Sequence, residues 1–419
     1  MPYHYLLLFS LYWAQGLPVG FMTHALPVIL RAQGVSLAHI GGFGLLMAPW
    51  AIKILWAPLV DRYGHHHAGH YRSWIIPTQF LTIVILVILS FLPIQSLNEP
   101  RFLFLFFIAL LCMNGIGSTQ DIATDGLAVS ILKEEQQHFG NMFQVIGSRL
   151  GFIVGGGAIL WAMDWLSWQT TFLVLAAIVA VNTLPIWFYQ EPKHPRIDRR
   201  HTPDQTNISR FEWFKNYLTY FFENKKLKAW FFVLCTIKIT DGFAGPITKP
   251  LLVDLKLSLS QIGIYITMLG AFSALFGAGL AGWLLKKIKR HQALLLFSVL
   301  KLISLAGFVW LAVLYEQAVP VKPWIIYVIN ALEDMFAAML LVVILTLVMQ
   351  YSRSEYAGTD FTFQVSIMAT ISGVLYTISG MIGDQLGYLK FLSLILLVGM
   401  LCLIPIIYWI RNMYKNECH

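Results

Sequence analysis

Twelve apolar stretches, each about the 20 residues that a helix needs to cross a hydrocarbon layer, take up most of the 419 positions. In such a layer backbone N–H and C=O groups meet no water, so a spanning segment has to be a helix or a strand of a closed barrel. The stretches are about twice as long as a spanning strand, so they are expected to be helices. They fall at Tyr3 to Leu30, Ala38 to Val60, Trp74 to Ile94, Phe102 to Leu132, Met142 to Met163 and Thr170 to Gln190. Six more fall at Ala229 to Val253, Leu259 to Leu285, Gln292 to Tyr315, Pro323 to Gln350, Phe361 to Ile382 and Leu389 to Ile410. With 12% of residues charged and 58% hydrophobic, no soluble domain remains once the spans are removed. The expected fold is an all-α membrane protein with twelve transmembrane helices in two six-helix halves, residues 1–190 and 229–419, joined by a cytoplasmic linker at 191–228.

Charge sets the orientation. Of the 29 Lys and Arg, nineteen fall on the side that holds both termini, five on the other and five inside spans. The positive-inside rule therefore puts both termini in the cytoplasm. The same asymmetry accounts for the net charge of +8, so no nucleic-acid partner is expected; the bilayer is the partner. The first apolar run is a full span that leads into the second, so no cleavable signal is expected. Cys112, Cys235, Cys402 and Cys418 have no metal spacing and read as reduced thiols. His65, His66, His67 and His70 form a tract that hints at metal only by composition; a solvated basic loop accounts for it, and neither metal nor cofactor is expected. In the linker, Phe211, Phe214, Leu218 and Phe221 with Lys225 and Lys226 behind them fit either a helix lying on the inner membrane surface or a loop.

Charged groups at membrane depth default to marking an ion or substrate pathway. Here they are Lys53, Asp121, Asp125, Arg149, Lys238, Asp241, Lys249, Lys301, Glu333 and Asp334, five of each sign. Asp121 and Asp125 lie four apart on one helix face next to Gln120. Lys53, Asp121, Asp125 and Arg149 share the cytoplasmic part of their helices and are expected to cluster, with a structural Asp125–Arg149 salt bridge as plausible as a transport role. Asp121 and Glu333 lead as proton-coupling groups, with Asp125 and Asp241 behind them. Gln15, His24, Lys53, Gln120, Arg149, Lys238, Lys249 and Asp334 are the substrate-cavity candidates, though His24 equally suits a packed histidine. Gly16, Pro18, Gly20 and Pro27 interrupt the first span, and Gly242, Gly245, Pro246 and Pro250 the seventh. Such paired interruptions point to a transporter's binding site and moving parts. Pro27, Ser36 and Ile40-Gly41 recur as Pro250, Ser258 and Ile262-Gly263, an offset of 222 or 223, as parallel repeats would. There is no His-Glu-x-x-His, no Gly-x-Ser-x-Gly and no nucleotide-binding loop, which argues against an enzyme or an ATP-driven pump.

Ala57-Pro58-Leu59-Val60-Asp61-Arg62-Tyr63-Gly64 resembles the loop signature of the major facilitator superfamily between its second and third helices. Gln15-Gly16-Leu17-Pro18, Ala25-Leu26-Pro27, Lys53 to Tyr63 and Gln120-Asp121-Ile122-Ala123-Thr124-Asp125-Gly126 resemble the AmpG-related permeases of that superfamily. So do Arg149-Leu150-Gly151 and Asp241-Gly242-Phe243-Ala244. The resemblance implies alternating access, with Asp61 and Arg62 as a cytoplasmic gate. The form of the fourth span followed by Gly140-Asn141, and a chain ending after the twelfth span, resemble the RhtX/FptX-type siderophore permeases most. That implies a proton-coupled importer of a ferric siderophore across a bacterial inner membrane, with a muropeptide permease or an acetyl-CoA-type transporter as the alternatives.

Overall fold

The computed structural model describes residues 3–33, 35, 43–64, 69–93, 96–97, 99–163, 165–192, 219–222, 225–258 and 261–417. Most of the histidine tract and most of the linker lie outside the described residues. Among those described there is no β-strand. The helices are α1 (Tyr3–Gly20), α2 (Leu26–Ala32), α3 (Ala48–Ile52), α4 (Ala57–Arg62), α5 (Arg72–Ser90), α6 (Pro100–Ile131), α7 (Gln137–Phe152), α8 (Ile159–Ala162) and α9 (Trp168–Phe188). They continue with α10 (Lys225–Thr236), α11 (Ile239–Asp254), α12 (Leu269–Leu284), α13 (Arg290–Glu316), α14 (Pro323–Gln350), α15 (Ala357–Leu401) and α16 (Leu403–Glu417).

Ten helices among the described residues are long and apolar enough to cross a membrane. The expected second span is in pieces instead: a 3-10 turn at Phe43–Met47, α3, a second 3-10 turn at Lys53–Leu55, and α4. Pro49 and Pro58 sit in the first turns of α3 and α4, where the missing N–H is harmless but the preceding helix cannot continue. The expected eleventh and twelfth spans run together in the 59-residue segment Ser354–Asn412 and part at Gly387, whose φ of +73° suits a residue without Cβ. In the first span a π-helical turn, Phe21–Ala25, separates α1 from α2. Pro27 lacks an N–H and its ring crowds the carbonyl one turn back, and the wider turn makes room for it.

The chain forms two compact units, one of residues 1–194 with 348–363, the other of 195–347 with 364–419. In the first, α1 packs on α7 with little between the backbones: a Cβ on Gly151 would lie 2.5 Å from Gly16 Cα, and one on Gly155 2.1 Å from the Leu17 carbonyl oxygen. Gly147, Gly151 and Gly155 recur every four residues, the small-residue stripe that lets membrane helices touch. The unit's core gathers Phe21, Phe106, Trp168 and Phe172, with Phe21 and Phe172 edge to face at 5.1 Å. In the second unit Phe308, Phe391, Leu392 and Ile395 belong to the core. The outward faces are apolar too, with Phe80, Phe104, Trp187, Phe276 and Trp310 exposed. Apolar surface so widespread is stable only against lipid.

Candidate functional site

In the first unit, α6 is helical past its two acids because nothing in its apolar run breaks it. The broken second span turns Lys53 inward, where it is 5% exposed. Lys53 Nζ donates to and ion-pairs with Asp121 Oδ2 and lies 5.5 Å from the centre of the Trp50 ring. Asp125, 2% exposed, has no ion pair among the described residues. Its Oδ1 accepts from Tyr12 Oη at 2.6 Å and from Gln144 Nε2 at 3.3 Å. The Asp125–Arg149 bridge weighed from the sequence is absent: Arg149 is half-buried and makes no polar contact among the described residues. The four residues expected to cluster are thus three, and the missing member's place is taken by a phenol and an amide.

One turn away from this network a cleft runs between α1, α3, α5 and α6, lined by Gln15, Trp50, Thr82, Asn114 and Gln120 among apolar neighbours. No charged side chain lines it. Trp50 Nε1 donates to Asn114 Oδ1 at 2.8 Å. Gln15 and Gln120 are 8% and 3% exposed, and the Nε2 of each has no hydrogen-bond partner among the described residues. A buried amide without an acceptor costs about 1–3 kcal/mol, so these two donors favour a guest that supplies carbonyl or hydroxyl oxygens. His24 is exposed on the π-helical turn, its Nδ1 2.7 Å from Thr23 Oγ1, and is not among the residues lining the cleft.

The second unit holds a larger network. Lys238 Nζ donates to Asp241 Oδ2 at 2.6 Å, one turn apart on one face. Lys301 of α13 lies 3.3 Å from Asp241 Oδ1 and ion-pairs with Glu333 of α14, whose other oxygen accepts from Ser304. Asp241, Lys301 and Glu333 line a small cleft with Thr240, Ala244, Leu302 and Leu305. Asp334 Oδ2 accepts from Asn330 Nδ2 at 2.9 Å. Lys249 is exposed, with no polar partner among the described residues.

At the end of α4, Asp61 Oδ2 accepts from Thr359 N at 2.7 Å and Thr359 Oγ1 at 2.6 Å, and Oδ1 from Gly358 N at 3.1 Å and Tyr71 Oη at 2.8 Å. The two amides open α15, where an anion complements the helix dipole. Burial pushes the Asp61 carboxyl above its ordinary value, against the hydrogen bonds from Thr359, Tyr71 and Gly358 that pull it down. Burial and then Asp61 hold the Tyr71 phenol well above its own. Arg62 stacks toward Tyr63, 5.6 Å from the ring centre. Two contacts here were not foreseen. Glu191 accepts from the backbone N–H of Tyr71 at 3.2 Å and of Arg72 at 2.9 Å, and Arg353 grips the fully buried Asp360 with two nitrogens at 2.9 Å.

Helices apolar on their outward faces, enclosing paired charges and a polar cleft, define a membrane transporter. The chain belongs to the Major Facilitator Superfamily, whose family model matches residues 8–377. An uncharacterized protein of Haemophilus influenzae is 28% identical over 411 residues, covering 96% of this chain and 93% of its own length. The anhydromuropeptide permease of Escherichia coli K12 is 26% identical over 390 residues, 92% of this chain and 75% of its own. Among solved structures, the Escherichia coli fucose:proton symporter FucP superposes with a TM-score of 0.65 over 97% of this chain and 98% of that one, at 15% identity, a likeness of fold.

Proposed function

We propose that this transporter carries a muropeptide-class solute across a bacterial inner membrane, driven by protons, with both termini cytoplasmic. The substrate class rests on the 26% identity that spans 92% of this chain with an anhydromuropeptide permease. That weighs more than the short motifs pointing to a ferric siderophore, and it ranks an acetyl-CoA-type solute lower too. The cleft is small, and its unpaired donors agree only with a solute that offers oxygen acceptors. A muropeptide is rich in hydroxyls and amide carbonyls, which the unpaired amides of Gln15 and Gln120 can meet. Lys53, Lys238 and Lys301 are already taken by acids and hold the helices rather than the solute.

The two halves, 1–190 and 229–419, would alternate access about the linker at 191–228, with Asp61 and Arg62 stabilising one state. Uptake of labelled anhydromuropeptide into vesicles carrying the protein tests the reading. Accumulation that collapses with an uncoupler is expected. Vesicles that ignore the muropeptide and concentrate a ferric siderophore would return the first expectation to the lead.

A further inference from the structure

We propose that Asp125, rather than Asp121, is the carboxylate that binds and releases the coupling proton, with Tyr12 and Gln144 as its positioning residues. The inference rests on the proton-driven reading above and assigns its site. In the second unit Lys238 and Lys301 face Asp241 and Glu333, two of each sign. Adding a proton there would take a carboxylate from a lysine and leave a buried cation unmatched. In the first unit Lys53 faces both Asp121 and Asp125, one cation for two acids. Adding a proton there removes the surplus charge, which membrane depth disfavours.

Geometry then chooses between the two acids. Asp121 holds Lys53 directly, so protonating it would strand the lysine. Among the described residues Asp125 makes no ion pair, and its hydrogen bonds come from neutral groups alone, Tyr12 from α1 and Gln144 from α7. Both can change partners: once Asp125 is protonated, its O–H can donate to the Tyr12 oxygen and the phenol can turn away. Of the other elements packed on α6, α4 ends in Asp61 and Arg62, and neither contacts Asp125. Within the spans α5 and α9 carry no charge beyond Arg72 at the start of α5. Tyr71 packs on Gly126 and bonds Asp61, and Glu355 in the turn before α15 is exposed. Arg149 makes no polar contact among the described residues.

The arrangement also says how proton and solute would communicate. Tyr12 lies one helical turn before Gln15 on α1, and Gln120 immediately precedes Asp121 on α6. A change in the bond between Tyr12 and Asp125 therefore acts on the two helices that present both unpaired amides to the cleft.

Infrared pH titration of the purified protein in nanodiscs tests the site without any solute. The wild type should show a protonated-carboxyl band, rising as pH falls, that Asp125→Asn lacks; coincident spectra would overturn the assignment. Tyr12→Phe keeps the ring and removes one donor to the ionised form, so it should move that band's midpoint to higher pH. An unmoved midpoint would count equally against the proposal, and this variant decides if Asp125→Asn does not fold. In vesicles, Asp125→Asn should lose gradient-driven accumulation yet keep exchange of labelled for unlabelled muropeptide at equal pH. Retained accumulation would sink the idea. If the wild type moves no muropeptide, the substrate reading fails while the infrared result still decides the proton site.

Discussion

The two units bury charge in opposite styles. In the second, Asp241 sits between Lys238 and Lys301, and Lys301 sits between Asp241 and Glu333, so that every charge is shared and the set cancels across α11, α13 and α14. In the first, one lysine serves one of two acids, and the other is left to a phenol and an amide. Cancelled charge fixes helices in register, because any change of protonation leaves an ion unmatched. A surplus charge held by neutral donors is the opposite device, since a proton can come and go without breaking an ion pair. The comparison separates a brace from a switch.

The hardest blow to the brace is Lys301→Met. It leaves Glu333 with Ser304 alone and takes from Asp241 one of its two cations, and breaking a buried pair from one side typically costs about 3–5 kcal/mol. Thermal melting of the purified protein should fall accordingly. Lys301→Met combined with Glu333→Leu should recover much of the loss, because removing both partners is often near neutral. A single variant that melts like the wild type would show that the network is no brace.

Asp121→Asn is the next largest effect, and it marks the boundary between the two devices. Lys53 keeps an amide oxygen and the nearby Asp125, so the loss of stability should be on the order of 1–3 kcal/mol. Uptake and melting should fall together here, whereas Asp125→Asn should lose accumulation with melting little changed. If Asp121→Asn melts normally and loses only accumulation, the roles of the two acids are reversed.

Much of this was legible in advance, and the failures have separate causes. Apolar length located the spans, and the depth of Lys53, Asp121 and Asp125 grouped them correctly. Pro49 and Pro58 were visible too, but an apolar run of span length outweighed them, and the second span came out in pieces. Reading ions by sign suggested Arg149 for Asp125. The sequence has no mark for a hydroxyl or amide doing a cation's job, so Tyr12 and Gln144 were missed. Lys301 was counted among the buried charges without a role, since its partners are 60 residues before it and 32 after it. Asn114 and Trp50, which meet across 64 residues, carry no local signal at all.

Arg353→Lys probes a pair that is neither brace nor switch. The guanidinium contacts both Asp360 oxygens at 2.9 Å, a fork that an ammonium cannot reproduce. Its side chain is 28% exposed, so the effect should be about 1 kcal/mol, read as a small drop in melting with accumulation retained. A loss of accumulation without a change in melting would give Arg353 a place in the transport cycle.

The smallest effect asks whether lacking a cation is enough to make a switch. Asp61 also has no ion pair among the described residues, but four donors hold it, two of them backbone amides that cannot turn away. Burial nevertheless keeps its carboxyl above the ordinary 3.8. A group whose native value is raised contributes stability that is fully present below the unfolded value and is lost as pH rises through the native one. The wild type should therefore lose stability relative to Asp61→Asn as pH rises through the window above 3.8, and the difference between the two melting temperatures should then level off. The change should be slight, because the four hydrogen bonds oppose the burial. If instead the wild type gains on Asp61→Asn with rising pH, the fixed donors outweigh burial and Asp61 stays ionised throughout. In that case a buried acid becomes a switch only where its donors, like Tyr12 and Gln144 at Asp125, are side chains free to turn.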